Sequence, residues 1–406
     1  MQIESMTEKR IAFILFGHDA TTIALAKHFT DRGCRVDVYV ECFRSSLGYC
    51  EATDIQQEKL KGVMGKIVCP DSTVMRDYCP KVNFYYVRLV SPMVNHPFLG
   101  KVSNMINSVI ERYICRKINK EKYGCVILVG RHNADHFIYY HKYLRTKVLT
   151  CLHEICNHQN PDFKNASPLL QYLFKNNKQI IVHSNNVLAD ALKYREASER
   201  NVHKLNLGPT ETWAYLQDLP SASAILPTGF ESDFVLQIGG IDRYKGLDTL
   251  LATIKSINQR NGNTIKFVIA GYGSDPYLPE LQSLGNVHVI NKFLSQTEFA
   301  LLVRLCRCII CPYHCMSQSG VPLAALVLKK PLIVSKLYGF EEVVKHGENG
   351  IMCPSSDVNA FADAITTMFD DTKYSRLRSN ISQYEENHPE VSWGEIVKTY
   401  FALINS

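Results

Sequence analysis

The chain has 406 residues, more than one ordinary core accommodates, and so predicts two domains. Apolar residues make up 46% and charged residues 21%, the balance of a soluble globular protein. The formal net charge of +6 permits contact with anionic substrates or a lipid surface without demanding nucleic acid, and no apolar run approaches the roughly 20 residues of a membrane span.

The opening "MQIESMTEKRIAFILFG" lacks the plan of a secretory signal, because its apolar run from Ile11 to Phe16 is short and flows into a strand pattern. A cytoplasmic protein is expected, and its fourteen scattered cysteines then read as reduced thiols. "RIAFILFG" predicts a first buried strand, "HDATTIALAKHFTDRG" a helix ending at Gly33, and "CRVDVYVE" a second strand. Residues 42–80 show no readable period. "NFYYVRLV" predicts a strand. "FLGKVSNMINSVIERYICRKINKEKYG" predicts a helix with a stripe of Val102, Met105, Ile106, Val109, Ile110, Tyr113 and Ile114. That stripe and the adjoining Arg112, Arg116, Lys117, Lys120 and Lys122 admit two readings: a helix covering its own sheet, or a peripheral contact with the inner face of a membrane.

"CVILVG", "DHFIYYHKYL", "KVLTCLHE", "QIIVHSNN" and "NVHKLNLG" continue the alternation, with Asn185 or Asn186 expected to start the helix "VLADALKYRE". "PTETWAYLQDLPSASAILPTGFESD" has no sustained period and contains three prolines, and reads as a connection. The alternation restarts at "FVLQIGG" and runs to "FEEVVKHGENG", followed by a helical tail broken near Pro389. The predicted fold is α/β, with two doubly wound Rossmann-like domains facing across a cleft. The expected boundaries are an N-terminal domain at 1–210, a connection at 211–232, a second domain at 233–385 and a tail at 386–406, whose return to the N-terminal domain is one option.

Several strand-end turns in the second half carry residues suited to chemistry. "CRCIICPYHC" has metal-like spacing, but Cys308 to Cys311 lies in a buried-strand run, where neighbouring side chains diverge, so buried thiols are expected and no metal. "IGGIDRYKG" places Arg243 and Lys245 between a glycine turn with Gly240 and a helix, an arrangement that suits a diphosphate; two solvated surface cations are the alternative. "IAGYGSD" offers the pair Gly271 and Gly273, which alone marks only a tight turn. "HCMSQSGVPLAALVLKKPLIV" puts the backbone N–H groups of Ser319, Gly320 and Val321 at a helix start, where the dipole favours an anion, or else simply packs helix and strand closely. Glu341 and Glu342 follow a strand end, where they either touch a ligand or answer the helix macrodipole.

In this order, the turns resemble those of the retaining glycosyltransferases of family 4, which have the GT-B fold. The resemblance is firm from about Val235 to Asp363 through "VLQIGGIDRYKGLDTLL", "FVIAGYGSD", "IICPYHC" and "PLIVSKLYGFEEVVKHGENGIMCP". It is weaker but consistent over residues 10–210, where "TCLHE" looks like the turn carrying the family's active-site histidine. The resemblance implies transfer of a sugar from a nucleotide donor to a growing surface glycan, with a lipid-linked acceptor included, with retention and without a metal or other cofactor. His153, Arg243 and Lys245 would be catalytic. Gly240, Gly271, Gly273, Ser319, Gly320, Val321 and Glu342 would bind the donor. Gly17 and His18 would face donor and acceptor across the cleft. The family usually places two glutamates around the third turn, and here those positions are Ser317 and Ala324 or Ala325. The "SQSGV" form is similar to a branch of bacterial polysaccharide glycosyltransferases with the same substitution, relatives that act in capsule or lipopolysaccharide synthesis. Two other readings are a non-catalytic GT-B subunit and a sugar-nucleotide epimerase; the kept phosphate cations oppose the first, and the missing acids around Gly320 the second.

Overall fold

The computed structural model describes residues 9–15, 19–42, 67–68, 78–90, 97–130, 134–155, 167–194, 197–198, 200–216, 219–316 and 319–406. They fall into two compact units, Met1–Gly208 with Trp393–Ser406, and Pro209–Ser392.

The first unit is built on an eight-stranded sheet with strands β1 (Arg10–Leu15), β2 (Arg35–Cys42), β3 (Ile67–Val68), β4 (Val82–Arg88), β5 (Cys125–Gly130), β6 (Lys147–Leu152), β7 (Gln179–Val182) and β8 (Val202–Lys204). Their spatial order is β3-β4-β2-β1-β5-β6-β7-β8, parallel throughout except where β3 runs antiparallel to β4. β1 shows why the sheet is parallel and covered on both faces: Ile11 to Leu15 are fully buried, the continuous apolar run such strands require. Ile11, Phe13 and Leu15 enter the core under helix α1 (Asp19–Thr30) and the C-terminal helix Trp393–Asn405. Ala12 and Ile14 enter the opposite core under α2 (Pro97–Lys120), α3 (Phe137–Tyr143), α4 (Pro168–Lys175) and α5 (Asn185–Ala191). Gly33, at φ 87°, takes the left-handed turn that ends the first helix pattern. The start of α5 differs from expectation. Ser184 is the N-cap, its side chain accepting from the Val187 amide, while Asn185 and Asn186 already lie in the helix.

α2 corrects the reading of its apolar stripe as the sheet-covering face. Its core side is made of Ser103, Asn107, Ile110, Glu111, Ile114, Cys115 and Ile118, whereas Met105 and Val109 are each 63% exposed and Tyr113 is 55% exposed. Only Ile110 and Ile114 of the stripe are buried, with Val102 and Ile106 half-buried.

The second unit opens with a helical turn, α6 (Thr212–Tyr215), inside the segment read as a connection. Its six-stranded sheet is parallel throughout, in the order β11-β10-β9-β12-β13-β14. The strands are β9 (Val235–Ile238), β10 (Phe267–Gly271), β11 (Val287–Asn291), β12 (Cys308–Cys311), β13 (Leu332–Ser335) and β14 (Gly350–Cys353). The helices are α7 (Leu247–Asn261), α8 (Leu278–Gln282), α9 (Gln296–Leu305), α10 (Gly320–Val327), α11 (Tyr338–Glu341), α12 (Val358–Met368), α13 (Asp371–Ser382) and α14 (Tyr384–Asn387). Ser295 and Glu298 form a capping box that starts α9. Two cores lie on the two faces of the sheet, and β12 divides its cysteines between them: Cys308 in one and Cys311 in the other, together with Cys306 at the end of α9. The remaining helix, Trp393–Asn405, is α15 and belongs to the first unit, where its Trp393 ring lies against Gly208.

Candidate active site

In the second unit, the turns after β9, β10 and β12 are locked together by close backbone approach. Gly271 and Gly273 have φ 154° and 150°, and a β-carbon on them would stand 1.7 Å from the Gly239 carbonyl oxygen and 2.0 Å from that of Ile241. Only glycine fits there. Asn291, at the end of β11, fastens the same turn by bonding both the amide and the carbonyl of Gly273. Gly246, left-handed at φ 71°, sits against the Pro312 carbonyl, where a β-carbon would come within 1.9 Å, and the His314 amide donates to the Tyr244 carbonyl at 2.9 Å. Gly240 is open on its β-carbon side except for the Tyr272 carbonyl at 4.0 Å.

Between these glycines, Arg243–Lys245 form a 3-10 turn that feeds α7. The two cations have different surroundings. Arg243 is exposed, whereas Lys245 is only 7% exposed. The Lys245 ammonium lies 4.0 Å from the centre of the Tyr313 ring and 4.9 Å from that of Tyr244. Among the described residues it has no ion pair and no side-chain hydrogen bond. Burial pulls its pKa down to about 8, against the opposing pull of Cys311, Asp242 and Cys315. A buried ammonium against two aromatic faces, with no carboxylate in contact among the described residues, is a charge that an anion could balance. Next to it, His314 Nε2 contacts Asp248 at 2.7 Å. Among the described residues, no group of three or more His, Cys, Asp or Glu is placed to hold a metal ion.

At the start of α10, Ser319 is the N-cap, and its hydroxyl accepts from the Val321 amide at 3.3 Å. One of the three expected amides is therefore occupied by the cap. Gly320 has no left-handed φ, and among the described residues a β-carbon there would meet nothing within 4 Å. Ser317 lies outside the described residues. Ala324 and Ala325 are fully buried. Glu342 is the C-cap of α11 and half-buried.

Sequence reasoning missed one pair. Tyr272, between the two locked glycines, stacks on Phe293, just beyond β11, with ring centres 4.2 Å apart and planes 22° apart; both are more than half exposed. An aromatic residue inside a glycine turn at a strand end was the available signal, but its partner is twenty-one positions away, beyond the end of another strand.

In the first unit, His153 follows β6 and is 5% exposed. Its ring lies 5.1 Å from that of His183, which follows β7. Burial lowers the His183 pKa to about 4, so it is neutral at pH 7, and its Nδ1 donates to the Leu205 carbonyl at 3.0 Å. Thr22, Cys151, Trp393 and Tyr400 join the two histidines around a small pocket at the carboxyl end of the sheet. Gly17 and His18 lie outside the described residues.

A family model described as Glycosyl transferases group 1 matches residues 232–371. The chain is 26% identical over 143 residues to the alpha-D-kanosaminyltransferase of Streptomyces kanamyceticus, and 25% identical over 172 residues to an uncharacterised glycosyltransferase of Methanocaldococcus jannaschii. These matches span 34% and 41% of this chain, and 36% and 43% of the curated relatives' own lengths. Among solved structures, sucrose-phosphate synthase from Thermosynechococcus elongatus superposes with a TM-score of 0.67 at 16% identity, covering 98% of both chains. Anabaena HepE in complex with UDP-glucose gives 0.63 at 16% identity, covering 98% of this chain and 99% of its own. These structural likenesses, together with the two parallel α/β sheets, show the fold of the GT-B glycosyltransferases.

Proposed function

We propose that the chain transfers a sugar from a nucleoside-diphosphate donor to a glycan acceptor, with retention and without a bound metal. The observation that carries this reading is Lys245, a buried ammonium with no anionic contact among the described residues, set in glycine-locked turns of a unit whose residues 232–371 match a glycosyl transferase model. It supplies the fixed charge that a departing diphosphate needs, and it is already desolvated, so its attraction for that charge is stronger than in water. Arg243, exposed and two residues away, adds a second cation from the solvent side. In this reading the Gly320 amide, at the start of α10, meets the same charge, while Gly240, Gly271 and Gly273 keep side chains out of the turns. The stacked Tyr272 and Phe293 offer a flat apolar surface for a nucleobase. His153 acts on the sugar side, and Glu342 on a donor hydroxyl. Gly17 and His18 complete the acceptor side.

The acceptor we favour is a growing surface glycan carried on lipid, met by a cytoplasmic protein at the inner face of the membrane. Among the described residues no helix is long and apolar enough to cross a membrane, so such contact is peripheral in this reading.

Titration with a panel of nucleoside diphosphates and their sugars tests the proposal. One of them should bind and raise the melting midpoint, since a ligand of the folded state stabilises it by mass action. Lys245→Ala should weaken that binding at least tenfold, the equivalent of one lost charge-assisted contact of about 1.5–3 kcal/mol. A panel with no binder, or a Lys245→Ala variant with unchanged affinity, would make Lys245 a structural residue and remove the basis of the assignment.

A further inference from the structure

We infer that the outward face of α2 is a docking surface for an anionic membrane. This inference rests on the surface of α2 and not on the transfer reaction. α2 has 24 residues and spans about 36 Å. Along it, Phe98 is 77% exposed, Met105 and Val109 each 63%, and Tyr113 55%. At 100° per residue these four fall within an arc of roughly 80°, on one line along the helix, with the half-buried Val102 and Ile106 beside them. Single exposed apolar side chains are ordinary on a protein surface. A continuous strip of them over four turns, on a helix whose opposite side already fills the core, is not.

The line continues in a different chemistry. Arg116 and Lys120 follow Tyr113 on the same arc, flanked by Arg112 and Lys117, with Lys101 beside the apolar end. The one acid on α2, Glu111, is 1% exposed and faces the core, so the helix presents four exposed cations and the half-buried Lys117, with no exposed carboxylate. Tyr143 of α3 extends the strip: its hydroxyl accepts from Arg112 at 2.8 Å, and the guanidinium lies 4.8 Å from its ring centre. A tyrosine held between an apolar strip and a cation suits the headgroup level of a bilayer, where an apolar ring body and a polar tip are both satisfied.

Charge selects the occupant. A second copy of the chain would bring the same cations and no exposed acid on this helix to pair with them. A bilayer with anionic lipids accepts the apolar strip among its acyl chains, and its headgroups neutralise the cations.

Sedimentation of the full chain with vesicles tests the assignment, using phosphatidylglycerol in phosphatidylcholine against phosphatidylcholine alone, at low and at about 0.5 M salt. Binding is expected to the anionic vesicles and to fall with salt. The triple substitution Met105→Ser, Val109→Ser, Tyr113→Ser and, separately, Lys101→Gln, Arg116→Gln, Lys120→Gln should each lower it at least tenfold. All six side chains are exposed, so melting midpoints and nucleoside-diphosphate binding should stay at the native value. No sedimentation at low salt, or sedimentation that both variants leave intact, overturns the inference. So does a dimer in sedimentation velocity that the serine variant abolishes. Capture on polyglutamate beads in place of vesicles reassigns the face to an acidic protein and overturns it too.

Discussion

At the scale of single residues, Lys245 ties stability to binding. Its folded pKa of about 8 lies below the 10.5 of an exposed lysine, so between these pH values the unfolded chain binds the extra proton. The penalty is full at pH 7 and fades as the pH rises through that window. Lys245→Met should therefore stabilise the ligand-free protein at pH 7, by an amount on the order of 3 kcal/mol from the shift, while abolishing donor binding. Chemical denaturation at pH 7 and pH 10.5 should show the advantage shrinking. For the native protein, nucleoside-diphosphate affinity should fall above about pH 8, with proton uptake on binding in calorimetry. Ser319 and Gly320 separate cap from cradle. Ser319→Ala removes a helix cap and should cost stability of about 1 kcal/mol with little change in donor affinity. In Gly320→Val the added β-carbon meets no described atom within 4 Å, so the variant should keep its melting midpoint while blocking the donor. Affinities that move together would rule out an amide cradle at the start of α10. His153→Ala should lower turnover far more than donor affinity, the pattern of a contact made in the transition state; equal loss of activity and stability would make it a core histidine beside His183.

At the scale of elements, α2 carries two faces of opposite character. Its inward face buries Glu111, whose two carboxylate oxygens have no hydrogen-bond partner among the described residues. Burial, reinforced by Glu41, pushes its pKa up to about 8. Glu41 accepts from Tyr140 at 2.5 Å and contacts His136 Nε2 at 2.8 Å. A raised acid pKa means the native state holds the extra proton between about 4.5 and 8, so stability falls as the pH rises through that window. Glu111→Gln removes the dependence. It should match the native protein near pH 4 and exceed it by a few kcal/mol at pH 9, as read from denaturant midpoints. No gain at pH 9 would mean that the carboxylate finds a partner in solution. A few parts of these elements were legible beforehand. The continuous apolar runs of β1, β5 and β12 announced covered parallel strands, and the glycine turns announced the strand ends. The core face of α2 was not legible, because both of its sides carry apolar residues and periodicity alone cannot rank them.

At the scale of the whole molecule, the first unit is closed by residues distant in sequence. Trp393, Ile396, Val397, Tyr400, Phe401 and Ile404 of α15 are buried in the core beneath β1. Phe401 meets Phe29 at 5.0 Å, and Trp393 stacks on His28 at 5.2 Å. Six such side chains are worth roughly 9–18 kcal/mol of apolar burial, as much as the entire stability of an ordinary domain, about 5–15 kcal/mol. A chain ending at Ser392 should therefore lose the cooperative unfolding of the first unit while the second still melts. Two native transitions in calorimetry of that truncation would show that α15 only decorates the unit.

The sequence by itself determined the alternation of strand and helix, the parallel sheets with two covered faces, and the turns where chemistry gathers, because each depends on neighbours a few residues apart. The tertiary structure alone decided that Lys245 is buried while Arg243 is exposed, and that Tyr272 meets Phe293. It also decided that α2 turns its most apolar strip outward and that α15 completes the first core. Burial is a relation between segments distant along the chain: Lys245 loses its water to Tyr313, sixty-eight positions on, and Phe29 to Phe401 at the far end. Local periodicity offers faces to be covered, and only the assembled neighbours choose among them.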